Sequence, residues 1–179
     1  MFQIVPDILS LVQHLETLKT ASEKYRIEKC PTCGCCGLWH HGERYRKADR
    51  ENTADATLNP IPILRFYCPA CHHTCSALPE CIPPRRWYLW SVQCAVMLMV
   101  LNGITVYKAS QAILPSRWTI RGWLLRLKNQ FSLHSVQLRS VWSWLGYCTS
   151  LGEFWSVVVD HVPFSTAMMV LHHQGVVVP

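Results

Sequence analysis

The hydrophobic pattern changes its period along the chain. From Pro6 to Glu28, Ile8, Leu11, Val12, Leu15 and Leu18 recur at three- and four-residue intervals, the spacing that gathers side chains on one helical face. Pro6 suits a first helical turn, where its missing N–H has no intrahelical acceptor to lose, so an amphipathic helix is predicted over 6–28. Between Cys30 and Cys81 the period shortens. Residues 38–47 and 61–67 have strand-like length and composition, separated by the polar stretch 48–59. Pro83-Pro84 marks a boundary, after which Trp, Arg and helix formers dominate; helices are predicted near 86–101, 106–114, 117–130 and 132–146. The tail alternates apolar and polar segments and ends in Gly175-Val-Val-Val-Pro179.

One stretch has the length of a membrane span. Trp87 to Tyr107 is uncharged over 21 residues, with Arg85 and Arg86 before it and Lys108 after it. Ser91, Gln93, Asn102, Gly103 and Thr105 interrupt it, which favours a buried helix over a bilayer-spanning one.

Charge changes the picture more than composition does. The 179-residue chain carries a net charge of +6, yet no acidic residue falls between Glu80 and Glu153, while Arg85, Arg86, Lys108, Arg117, Arg121, Arg126, Lys128 and Arg139 do. A run of one sign attracts a polyanion, so nucleic acid is the expected partner; a solvated basic face is the plainer alternative. Half of the residues are hydrophobic and eight are Trp, which argues against extended disorder.

The ten cysteines suggest disulfides only if the chain is exported. Met1 to Leu18 has no basic leader, carries Asp7 and Glu16, and lacks a small-residue cleavage site, so a reducing cytoplasm with cysteines as metal ligands is expected. Cys30-Pro-Thr-Cys33-Gly34 and Cys68-Pro-Ala-Cys71 provide the ligands. Two thiolates separated by two residues turn onto one cation, and two such turns complete a tetrahedron. Pro31 and Pro69 stiffen both turns at the same place, and Gly34 allows the positive φ that often follows a second ligand. Four thiolates leave no open coordination position, so the Zn2+ expected at Cys30, Cys33, Cys68 and Cys71 is structural, supplying stability to a segment of roughly 50 residues with little core. Cys35, Cys36, Cys75 and Cys81 are alternative ligands or small buried hydrophobes, and Cys94 reads as core.

Catalytic constellations are missing. His40-His41, His72-His73 and His172-His173 are adjacent pairs, and strand neighbours point to opposite faces. Beyond the basic run only Glu153 and Asp160 remain, too few for a three-carboxylate nuclease centre. The chain is therefore not expected to be an enzyme.

Thr105 to Trp123 fits a helix-turn-helix. Thr105 caps one helix, Ala109 and Ser110 permit a close crossing, and Ile113 is expected to face the core. Leu114-Pro115-Ser116 makes the turn, and Ser116 caps a second helix from Arg117. Ile120, Trp123, Leu124 and Leu127 form its apolar stripe, with Arg117, Arg121 and Lys128 together on a neighbouring face. Such a helix suits a major groove, with arginines placed for guanine edges or phosphate. Arg126, Lys108, Arg85 and Arg86 are expected to touch phosphate. Trp118 and Trp123 could suggest base stacking, but Trp at helical spacing is more often core, so these two are expected there, as are Trp142, Trp144 and Trp155. An ordinary bundle with a basic surface is the alternative.

Cys-Pro-x-Cys-Gly, then Trp39-His40-x-Gly42, then Ile63-Leu64-Arg65-Phe66 before the second knuckle and Ser76-Ala77-Leu78-Pro79 resemble the zinc ribbons of bacterial insertion-sequence proteins. Arg85-Arg86-Trp87-Tyr88 and Thr119-Ile120-Arg121-Gly122-Trp123-Leu124 are similar to the helix-turn-helix that follows those ribbons. The resemblance spans roughly residues 28–130 and implies zinc and the binding of double-stranded DNA at an element end or operator. His72-His73 and Cys75 depart from the pattern, and no catalytic domain accompanies it.

The expectation is an α+β chain, a small β zinc ribbon followed by a helical helix-turn-helix bundle. Its parts are an N-terminal amphipathic helix (1–28), the ribbon (29–84), the DNA-binding domain (85–150) and a segment of unassigned role (151–179). It would bind DNA as an accessory factor, truncated transposase or regulator of a mobile element, with a transposase or a second copy of itself as protein partner and no membrane. The rival is a protein-interaction adaptor that uses the ribbon and the Trp-rich bundle without touching DNA.

Overall fold

The computed structural model describes residues 1–47, 58–84 and 88–178. The chain is α+β and forms two compact units, Met1–Leu89 and Trp90–Pro179. Residues 1–28 thus belong with the ribbon, and 151–179 with the helices that precede them.

The first unit is a mixed four-stranded sheet: β1 (Phe2–Val5), β2 (Trp39–Arg46), β3 (Ile61–Tyr67) and β4 (Thr74–Pro79), in the order β1-β4-β3-β2. The helix predicted over 6–28 is shorter than its periodicity implied. It is confined to α1 (Leu11–Thr20), capped by Ser10, whose side chain accepts from Gln13 N–H, and followed by a 3-10 turn over Ser22–Tyr25. Before it, β1 lies parallel to β4 with Phe2 opposite Ser76, so the first residues close a sheet edge. Short apolar runs at a terminus carry no periodicity to announce this pairing.

Leu11, Ile61, Ile63, Leu78 and Ile82 form one cluster, and Val5, Ile8, Tyr25, Ile27, Leu38, Leu64 and Phe66 another that includes Cys30 and Cys68. β3 feeds both, with Ile61 and Ile63 in one and Leu64 and Phe66 in the other, the alternation that strand geometry imposes. His14, not the expected Val12, is turned inward from α1; Val12 is exposed. The buried imidazole accepts from Tyr25 Oη–H at Nδ1 and donates from Nε2 to Pro62 O at 2.8 Å, satisfying every polar atom of the pair.

The second unit contains α2 (Trp90–Leu101), α3 (Val106–Ala112), α4 (Arg117–Asn129), α5 (Phe131–Val141), α6 (Leu151–His161) and α7 (Phe164–His173), with a 3-10 turn at Ser143–Tyr147. The uncharged run read at 87–107 yields only the 12 residues of α2, roughly 18 Å of helix against a bilayer core of about 30 Å. Gly103, at φ +90°, ends it, with Gly103 N–H and Ile104 N–H donating to Val100 O and Met99 O at 3.1 and 3.0 Å. Among the described residues no single helix is long and apolar enough to cross a membrane, and α6 and α7 are bent by 107° to one another.

Trp90, Met97, Leu127, Leu138, Phe154, Trp155, Ala167, Met168 and Leu171 form the core of this unit. The unassigned tail therefore supplies much of it through α6 and α7. Ser150 caps α6 by accepting from Glu153 N–H at 3.2 Å. Val176 and Val178 return to the core.

There His134 is fully buried, with Nε2–H donating to Val177 O at 3.2 Å and Nδ1 without a hydrogen-bond partner. Burial lowers its pKa, outweighing the opposing bond to Val177. A neutral imidazole is thus part of the fold, while the unfolded chain protonates near pH 6.5. The unfolded state then binds more protons in acid, so stability is full above about pH 6.5 and falls below it. The denaturation midpoint of the helical unit should decline from pH 7.5 to 5.5, and His134→Leu should flatten that decline; an unaltered slope in the variant would contradict the assignment.

Candidate metal centre and cationic helix

The cysteine turns repeat one backbone design. Cys30 N–H donates to Cys35 O at 2.8 Å and Gly34 N–H to Cys30 O at 2.8 Å; Cys68 N–H donates to His73 O and His72 N–H to Cys68 O, both at 2.9 Å. In each, the residue after the second cysteine takes positive φ: Gly34 at +74° and His72 at +59°. Glycine adopts this without cost, whereas a side chain costs about 1–2 kcal/mol. His72 is held there by a hydrogen bond between its Nδ1 and Tyr67 Oη at 2.6 Å. The departure from a glycine-like sequence is therefore accommodated without altering the turn.

β3 runs directly into Cys68, while Ile27 and Leu38 pack beneath the Cys30 turn. The four sulfurs lie within 4.8 Å of one another, with Cys30–Cys71 and Cys33–Cys68 both at 3.6 Å. A disulfide needs about 2.05 Å, whereas four bonds of about 2.3 Å to one ion place tetrahedral sulfurs about 3.8 Å apart. The spacing is that of ligands around a metal ion, which these residues could hold. Cys30 and Cys68 are buried, Cys71 half-buried and Cys33 exposed.

Thiol chemistry agrees with that geometry. Burial raises the Cys30 thiol, but N–H groups of Cys33 and Thr32 aimed at its sulfur bring it down to about 6. Cys71 goes the other way: His73 N–H favours its thiolate, but burial and three neighbouring sulfurs push it up to about 12. Thiolates crowded this closely repel one another, and a cation among them would offset that repulsion.

The surplus cysteines stay outside the cluster. Cys35 and Cys36 are exposed, and burial pushes the thiols of Cys75 and Cys81 up to about 11 and 12. No second group of three or more His, Cys, Asp or Glu gathers among the described residues. His40 meets Phe66 edge-on at 5.9 Å and His41 stacks on Tyr67 at 5.9 Å, so that pair is divided between neighbouring strand positions.

In the second unit, Thr105 caps α3 by accepting from Lys108 N–H at 3.3 Å, and Ser116 caps α4 by accepting from Thr119 N–H at 3.3 Å. α3 packs on α4, and α2 packs on both. Ala109, Ile120 and Leu127 are fully buried, Trp123 nearly so, and Ile113 only partly. Arg117, Arg121, Lys128 and Lys108 are exposed, while Arg126 is half-buried. Arg85 and Arg86 lie outside the described residues.

Two indoles contradict the expected core placement: Trp118 is 78 % exposed and Trp144 37 %. Trp144 stacks on His161 at 4.4 Å and on Trp142 at 5.9 Å, whereas Trp155 is buried. The sequence held a signal for Trp118, which falls off the Ile120-Trp123-Leu127 stripe. Arg121 places its guanidinium over that indole at 5.5 Å, and Arg117 lies over the exposed ring of Tyr107 at 5.6 Å.

If the sulfurs hold one ion, Cys33→Ser or Cys71→Ser should lower the bound metal well below one per chain and destabilise the first unit. Cys94→Ser, in the helical unit, should keep it. Full metal content in both ligand variants would contradict the assignment. No curated protein and no solved structure matches the chain. A family model described as a domain of unknown function, DUF6431, matches residues 30–123, beginning on the first ligand cysteine and ending on a buried Trp of α4. That span is more than half of the sequence, and the chain belongs to the DUF6431 family.

Proposed function

We propose that the protein is a zinc-stabilised DNA-binding protein whose α4 enters the major groove of double-stranded DNA. The observation that carries this is the exposed cationic stripe of Arg117, Arg121 and Lys128 on a Ser116-capped helix whose neighbouring stripe is buried. It lies within a run from 81 to 152 that contains no acidic side chain to neutralise it. A groove accepts a helix of this kind, arginine reaches guanine edges or phosphate, and the remaining cations screen the backbone.

Zinc is the ion that four thiolates at this spacing favour, and closed tetrahedral sulfur coordination makes it structural rather than catalytic. Thiols spaced for a metal and not for disulfides support a reducing, cytoplasmic setting. The likeness of the knuckles and helix motifs to insertion-sequence proteins supports a role in a mobile element. A protein-docking reading draws on one observation: edge strand β2 leaves Trp39 and Tyr45 more than half exposed, at 63 % and 66 %.

A salt titration separates the two. Duplex affinity should fall steeply as salt rises, each phosphate contact adding about 0.9 to the logarithmic slope. Lys128→Ala should lower that slope by about one, and Arg121→Ala should cost about 1–3 kcal/mol on the preferred site and relax its sequence preference. Salt-insensitive binding, or none, would reject the DNA reading.

A further inference from the structure

Trp118 has no part in the core. It stands at the second position of α4 with 78 % of its surface in solvent. Leu125, seven residues on and thus on the same helical face, is 60 % exposed. This apolar pair runs alongside the Arg117-Arg121-Lys128 stripe. Arg121 sits over the indole at 5.5 Å, a cation–π contact that steadies both groups.

We infer that Trp118 stacks on an unpaired base, so that the DNA preferred by α4 is a duplex interrupted or ended by one. The inference rests on the DNA-binding reading and specifies its ligand. A groove of intact duplex offers base edges and phosphates, whereas the face of a base lies inside the stack. An exposed indole finds its matching π-face only on a base that has left that stack. Arg121 then serves twice, orienting the ring and contacting the duplex beside the extruded base. The acid-free run around the indole argues for a polyanion over an apolar protein surface.

The test uses the full chain and two probes of one sequence, one fully paired and one carrying a single unpaired 2-aminopurine. Binding is read by anisotropy and stacking by quenching of the analogue. The unpaired probe should bind about tenfold more tightly, in keeping with one base–aromatic stack, and its emission should fall on binding. Trp118→Ala should lower its affinity to that of the paired probe and restore emission, and Trp118→Phe should keep most of both effects. An unchanged helical circular dichroism spectrum excludes misfolding as the cause. Equal affinity for the two probes, or an advantage that survives Trp118→Ala, overturns the inference while DNA binding stands. Failure to bind either probe removes the DNA reading and this inference together.

Discussion

Mutual repulsion among four thiolates is the constraint on which the first unit turns. Their sulfurs lie within 4.8 Å of one another, close enough that ionising all of them without a cation would oppose folding. Yet the same cysteines stand where the sheet and the loop before β2 meet, and Cys30 and Cys68 belong to the buried cluster with Tyr25, Ile27, Leu38 and Phe66. A cation held at that point would turn the repulsion into a cross-link. It would join residues more than thirty positions apart, where the edge strand β2 is exposed along nearly its whole length and adds little burial.

The helical unit needs no such device. Its core is mostly aromatic and aliphatic, with Trp90, Trp155 and Phe154 among its largest buried side chains and His134 and Gln93 buried beside them. It leaves a different kind of surplus, since the charged side chains of α4 are all cations and two arginines rest on exposed rings. Cations without acids and rings without a core are costly surfaces for a chain to maintain for packing alone. The proposed DNA partner gives both a use, one through phosphate and the other through a base face.

How far these features were legible depended on the range of the interaction behind each. The ligand set was plain in two Cys-Pro-x-Cys turns, because a tight turn and its ligands are local. Thr105 and Ser116 announced their caps for the same reason. β1 was invisible, since its pairing with Thr74–Pro79 is a contact between distant segments with no local period. α7 was hidden by apolar residues on most of its faces, which blurs the stripe that reveals a surface helix, whereas α6 carried a legible stripe of Phe154, Trp155 and Val158 that went unread. Trp118 and Trp144 were misplaced because composition ranks Trp as core, although phase along α4 already set Trp118 apart.

Extended X-ray absorption on the purified protein, with the metal counted per chain, tests the central claim most directly. The expected result is one zinc per chain surrounded by four sulfur atoms at about 2.3 Å, without nitrogen or oxygen in the coordination sphere. A metal-free folded protein, a disulfide between any two of Cys30, Cys33, Cys68 and Cys71, or a mixed ligand set would contradict it.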